Sequence, residues 1–162
     1  MTARSGFGLV FAPLYSDTKG VFDTNYKKKI KHWDDIHLGE VETFTKTMTQ
    51  TDMVLWVGLT GDMNPVHIDK EYASSTRFKD VIIPGLMVAG LISTVMTQST
   101  FGNVYCGQTL KFLKPAYVGD TITAVATVVE KIEEKHRVKI KTECYNQREE
   151  LIIVGEGQEY IL

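Results

Sequence analysis

Between Gly85 and about Ser99 the chain places Leu86, Met87, Val88, Ala89, Leu91, Ile92, Val95 and Met96 around most of a helix circumference. A helix apolar on most faces must be buried on most faces. Everything after it reads as antiparallel sheet. Residues 105–114, 120–130, 138–145 and 151–160 are four β-rich runs, separated by turn signals such as Lys114-Pro115 and Val118-Gly119-Asp120. In the second run Ile122, Ala124, Ala126 and Val128 share one face. In the third, Val138, Ile140 and Cys144 face one way and Lys139, Lys141 and Glu143 the other, so one face is packed and one is wet. One greasy helix and a one-sided sheet predict an α+β fold in which a curved antiparallel sheet wraps a long central helix. A single layer of this kind leaves its edge strands open, and pairing between two copies is a natural way to close them.

The 162 residues make about one domain, and a chain of this length typically buries roughly two-thirds of its unfolded surface. With 18 basic against 20 acidic residues the formal charge is -2, which gives no electrostatic case for nucleic acid or an anionic membrane. Any anionic ligand must be held locally. The longest apolar stretch, 81–92, is broken by Pro84, Gly85 and Gly90 and is far short of the ~20 residues that cross a bilayer. The start, Met1-Thr2-Ala3-Arg4, lacks the pattern of a signal peptide. Cys106 and Cys144 lie far apart on β-type runs and read as two buried free thiols, which favours a reducing, cytoplasmic compartment. Residues 1–38 carry turn signals at 16–20 and the basic run Lys27-Lys28-Lys29-Ile30-Lys31-His32, and are expected to form a loosely attached N-terminal extension to a single domain at 39–162.

Ahead of the central helix, 41–49 is rich in β-branched residues and suggests a first strand. Thr51 and Asp52 offer a start to a short apolar helix at 53–59 that Gly61 can end, and 69–73 reads as a second short helix with Asp69 at its start. Between them runs Thr60-Gly61-Asp62-Met63-Asn64-Pro65-Val66-His67-Ile68-Asp69. Pro65 is expected to halt any helix there, which puts Asp62 and His67 on a compact turn. On a continuous helix, five residues would swing their side chains about 140° apart, whereas a turn lets them converge. A carboxylate and an imidazole aimed at one water make a general acid/base pair. The same residues also compose an ordinary Asx-Pro turn with a partly buried histidine, and spacing alone leaves both readings open. Asp62, His67 and Asp69 include metal-binding types, but no second histidine or cysteine sits at ligand spacing, so no metal is expected. Ile83-Pro84-Gly85-Leu86 opens the central helix, where free first-turn amides can hold an oxyanion; Pro-Gly equally serves as a tight lead into a helix.

Taken together, Thr60-Gly61-Asp62-x-Asn64-Pro65-x-His67-x-Asp69, then Ala73, Phe78 and Ile83-Pro84-Gly85-Leu86, then Gly107-Gln108-x-Leu110-x-Phe112-x-x-Pro115-x-x-x-Gly119-Asp120, resemble the MaoC-like dehydratases and, more narrowly, the (R)-specific enoyl-CoA hydratases. The likeness runs from about residue 40 to the C-terminus. It implies a hotdog fold and the reversible syn hydration of a trans-2-enoyl thioester to a (3R)-3-hydroxyacyl thioester, with no cofactor. By the same resemblance Asp62 and His67 are the catalytic pair, Asn64 positions the water or His67, Thr60 keeps a hydroxyl where the family often has serine, and the Gly85 amide receives the thioester oxygen. Pro84 departs from the family, which often has histidine there. The expected partner is an acyl-CoA or acyl-carrier-protein thioester, and the expected assembly a homodimer. A non-catalytic acyl-thioester-binding subunit and a hotdog thioesterase are the competing functions. The presence of Asp62 and His67 speaks against the first, and the full Gly-Asp-x-Asn-Pro-x-His segment against the second. Met53, Trp56, Val57, Leu86 and Met87 are candidates to line an acyl tunnel.

Overall fold

A computed structural model describes residues 30–162; the turn at 16–20 and the part of the basic run before Ile30 lie outside the described residues. In chain order the elements are β1 (Val41–Thr47), α1 (Gln50–Thr60), α2 (Pro65–Ile68), α3 (Lys70–Ser75), α4 (Gly85–Ser99), β2 (Val104–Phe112), β3 (Thr121–Ile132), β4 (Arg137–Tyr145) and β5 (Leu151–Tyr160). The strands form one antiparallel sheet in the order β1-β3-β4-β5-β2. Its inner face and α4 make the core. Met87, Val88, Ile92, Val95 and Met96 of the helix are buried in one cluster with Ile122, Ala124, Ala126, Val138, Ile140 and Cys144 of the sheet. Each fully buried aliphatic side chain of this kind is worth roughly 1.5–3 kcal/mol. This is the hotdog arrangement, a sheet folded about its helix.

The single sheet covers α4 less completely than its apolar circumference suggests. Leu86 is 60% exposed, and Gly90, Ser93 and Thr97 continue its stripe along the outer side. Among the described residues, no helix is long and apolar enough to cross a membrane. Edge strand β2 is largely exposed along its length, with Cys106 at the surface, so only Cys144 is the buried thiol expected of both. The reason is topological: β5 covers one edge of β2, and among the described residues no strand covers the other.

The β2–β5 seam depends on two glycines. A Cβ on Gly155 would strike the backbone carbonyl of Thr109 and stand 2.7 Å from Gln108 Nε2, and one on Gly157 would stand 2.7 Å from Gln108 Oε1 and 2.6 Å from Met96 Cε. Through this opening the Gln108 amide reaches inward, where its Nε2 donates to the hydroxyl of fully buried Thr142 (2.7 Å).

Two helix starts differ from expectation. Helix α1 begins earlier than Thr51, because Thr49 is its N-cap: Thr49 Oγ1 accepts from the Asp52 amide (3.2 Å), and Asp52 Oδ2 accepts from the Thr49 amide (2.8 Å). Pro65 starts a helix instead of halting one. It occupies the first position of α2, where its missing N–H costs nothing, while Asn64 stays outside the helical region (ψ 125°). Ahead of β1, Ile36 is fully buried, Lys131 donates to the carbonyls of Trp33 (2.6 Å) and Ile36 (2.9 Å), and the Trp33 ring stacks on His136 at 4.9 Å.

Candidate active site

The segment between α1 and α3 is held by short local bonds. Gly61 ends α1 in the left-handed region (φ 73°), its N–H donating to Val57 O (2.8 Å), a geometry that favours glycine. The Thr60 hydroxyl donates to Trp56 O (2.8 Å) and accepts from the Asp62 amide (3.2 Å). Asn64 caps α2: its Oδ1 accepts from the Val66 amide (3.3 Å), and its backbone carbonyl from the His67 amide (2.8 Å). Asp69 is occupied as the cap of α3, accepting from the Tyr72 amide (2.9 Å).

One contact orders the histidine. His67 Nδ1 lies 2.7 Å from the carbonyl oxygen of Ile82. A carbonyl can only accept, so Nδ1 carries the proton and the neutral ring offers Nε2 as its free acceptor. Ile82 is itself fixed. Its amide donates to Val66 O (3.1 Å), it forms a bridge with Tyr117, and the next amide, Ile83, donates to Ala116 O (2.8 Å). These ties lay residues 82–85 alongside 113–117 and deliver the first turn of α4 to the histidine.

At that turn, Met87 and Val88 both donate to Pro84 O (3.0 and 3.2 Å), while the amides of Gly85 and Leu86 precede any intrahelical acceptor. A cavity of about 340 Å³ opens here. Asp62, His67 and Gly85 all line it, with Phe78, Phe112 and Ile153 among its apolar walls. Thr60 and Asn64 do not line it. Their bonds act on the loop and on α2, the supports of Asp62 and His67. Arg77 and Lys114 add positive charge at the cavity: the Arg77 guanidinium stacks over the Phe78 ring at 4.8 Å, and Lys114 pairs with Glu150 at 2.8 Å.

Of the five apolar residues considered for an acyl tunnel, only Leu86 lines this cavity. Met53 is in the core, and Trp56 faces a separate groove between α4 and β2. Sequence reasoning attached no role to Phe112, Arg77, Lys114 or the Ile82 carbonyl. Phe112 stood within the quoted motif; the others carried no local signal, since backbone pairing across the chain brings them in.

The family model for the MaoC like domain matches residues 36–150. An (R)-specific enoyl-CoA hydratase of Rhodospirillum rubrum is 38% identical over 117 residues, 71% of this chain and 81% of that protein. The tomato mitochondrial 3-hydroxyacyl-[acyl-carrier-protein] dehydratase FERN is 34% identical over 75% of each chain. Among solved structures, the unliganded R-hydratase PhaJ1 of Pseudomonas aeruginosa superposes with a TM-score of 0.74 at 32% identity, covering 80% of this chain and 84% of its own. The named relatives are hydratases and dehydratases, and the chain belongs to the MaoC-like dehydratase family.

Proposed function

We propose that the chain is a hydro-lyase that adds water to a trans-2-enoyl thioester to give the (3R)-3-hydroxyacyl thioester, and runs the reverse dehydration. The observation that carries this reading is the shared cavity of Asp62, His67 and the Gly85 amide, with His67 Nε2 left as acceptor by the Ile82 carbonyl. In the hydration direction a water held between the Asp62 carboxylate and His67 Nε2 attacks C3, and the base takes its proton. Negative charge moves through C2 to the thioester oxygen, where the Gly85 amide and the positive end of α4 receive it. The proton then passes to C2 from the same face. The balance is one water consumed, one C–O and one C–H bond formed, and the C=C double bond lost.

Arg77 and Lys114 suit a thioester carrier that bears phosphate. Coenzyme A and the phosphopantetheine arm of an acyl-carrier protein share that chemistry, and relatives named for each occur. A homodimer fits the open edge of β2 and the exposed apolar side chains of α1, Val54, Leu55 and Leu59. The deciding experiment incubates the full chain with crotonyl-CoA, follows the enoyl absorbance and resolves the product on a chiral column. Loss of the enoyl band with a (3R) product is expected. A (3S) product, release of free thiol, or binding without turnover rejects the reading.

A further inference from the structure

The glycine that opens α4 is not required by its own backbone angle, since Gly85 lies outside the positive-φ region. It is required by a neighbour. A Cβ built on Gly85 would stand 2.6 Å from Cε1, 2.7 Å from Cδ1 and 3.2 Å from Cζ of Phe112, closer than real side chains approach. The ring of Phe112 therefore rests against the first turn of α4, beside the amide assigned to the thioester oxygen.

Phe112 is the last residue of edge strand β2, and it pairs across the sheet with Ile153, whose buried side chain lines the same cavity. Phe112 is 51% exposed as a residue, so much of it is free of packing. It touches the reactive end of the cavity without being needed to fill the core.

We propose that Phe112 is a positioning residue for the hydration: its ring seats in the notch left by Gly85, walls the oxyanion amide from water and presses the thioester carbonyl toward it. The proposal rests on the hydratase reading of the Gly85 amide. Two physical effects follow from the geometry. Water beside an amide competes for the hydrogen bond and screens the developing charge, so a ring in that place strengthens the bond most when the charge is largest. The exposed part of Phe112 is covered by the incoming acyl thioester, which adds a contact made equally in ground and transition states. The first effect is on kcat, the second on KM. Glycine at 85 and phenylalanine at 112 are then a matched pair, and the space between them is a steric requirement of the ring.

The test uses the full-length chain with crotonyl-CoA. Phe112→Ala is expected to lower kcat roughly tenfold to a hundredfold, a larger factor than its rise in KM, while Phe112→Leu recovers most of the loss. Gly85→Ala alone is expected to lower both the melting temperature and the activity, because the new Cβ strikes the ring. In the Phe112→Ala background the same substitution is expected to cost little further melting temperature and little further activity. Wild-type kcat in Phe112→Ala, or an equal melting-temperature loss from Gly85→Ala in both backgrounds, overturns the proposal. Failure of the hydratase reading shows separately, as absence of turnover in the unaltered chain. The paired melting temperatures still decide the steric half in that event.

Discussion

The two ends of α4 treat carboxyl and oxyanion groups in opposite ways. At its N-terminus, the amides of Gly85 and Leu86, without a partner among the described residues, lie at an open cavity, where the partial positive charge of the helix favours an anion. At its C-terminus, the helix is sealed over Glu159, which is 2% exposed and has no cation against it among the described ion pairs. The group that contacts it is the hydroxyl of Thr100, the C-cap, which also lies 3.1 Å from Met96 O. One hydroxyl hydrogen cannot serve both acceptors. A protonated Glu159 resolves this, donating to Thr100 Oγ1 while Thr100 donates to Met96 O. Burial pushes the Glu159 carboxyl up to about 7, in the same direction. On the proposed function one end of the helix receives charge and the other suppresses it, which would separate the part of the molecule that reacts from the part that only holds.

Several substitutions test that division, the largest effect first. Asp62→Asn and His67→Ala should each lower crotonyl-CoA hydration by roughly a hundredfold to ten-thousandfold while circular dichroism and melting temperature hold, since both side chains serve the cavity and not the core. Near-normal turnover in either variant breaks the assignment at the reactive end.

The next effect is on stability. The folded chain holds the Glu159 proton to about pH 7, whereas the unfolded chain releases it near the ordinary glutamate value of 4.5, so the folded state binds more protons between those values. Stability from this group is therefore fully present below about pH 4.5, falls as pH rises through that window, and is lost above 7, by on the order of 3 kcal/mol. Glu159→Gln keeps a donor to Thr100 without an ionisable proton. It should match the wild type at pH 5, melt higher at pH 8 and leave kcat unaltered. Parallel melting curves for the two proteins across that range would show that the buried end carries no suppressed charge.

Smaller still is Ser99→Ala. Ser99 Oγ is buried without a hydrogen-bond partner among the described residues, so removing it should be neutral or stabilise by up to about 1 kcal/mol, read by denaturant titration. A clear loss would mean that the hydroxyl is satisfied in solution.

Much of this was legible in the chain, and the rest was hidden for definable reasons. The apolar run at 85–99 and the alternation in 120–130 and 138–145 report burial directly, because helix and strand periods differ and each leaves its own pattern. The outer stripe of α4 was not legible, since apolar Leu86 gives no sign that the sheet stops short of it. Cys106 was misread for the same reason: a strand's composition does not tell whether it stands at an edge. Pro65 was read as a helix stop and instead begins one, because proline both stops helices and starts them. At the cavity, Asp62, His67 and Gly85 were singled out by their motif. The tautomer of His67 was not, since it depends on a carbonyl fifteen positions away in sequence. Nor was the ring of Phe112 against Gly85, a meeting of edge strand and helix that no local pattern encodes.

The amide of Gln108, lodged between Gly155 and Gly157, has a consequence well away from its own hydrogen bonds. It sits four positions before Phe112 on the same strand. A strand free to slide by two residues keeps its faces but moves every side chain by about 7 Å. Such a slip would leave the ring far from the helix turn it now touches. The peg in its glycine slot thus works as a ruler: a residue with no part in the proposed chemistry sets, from the middle of the strand, where the ring at its end meets the helix.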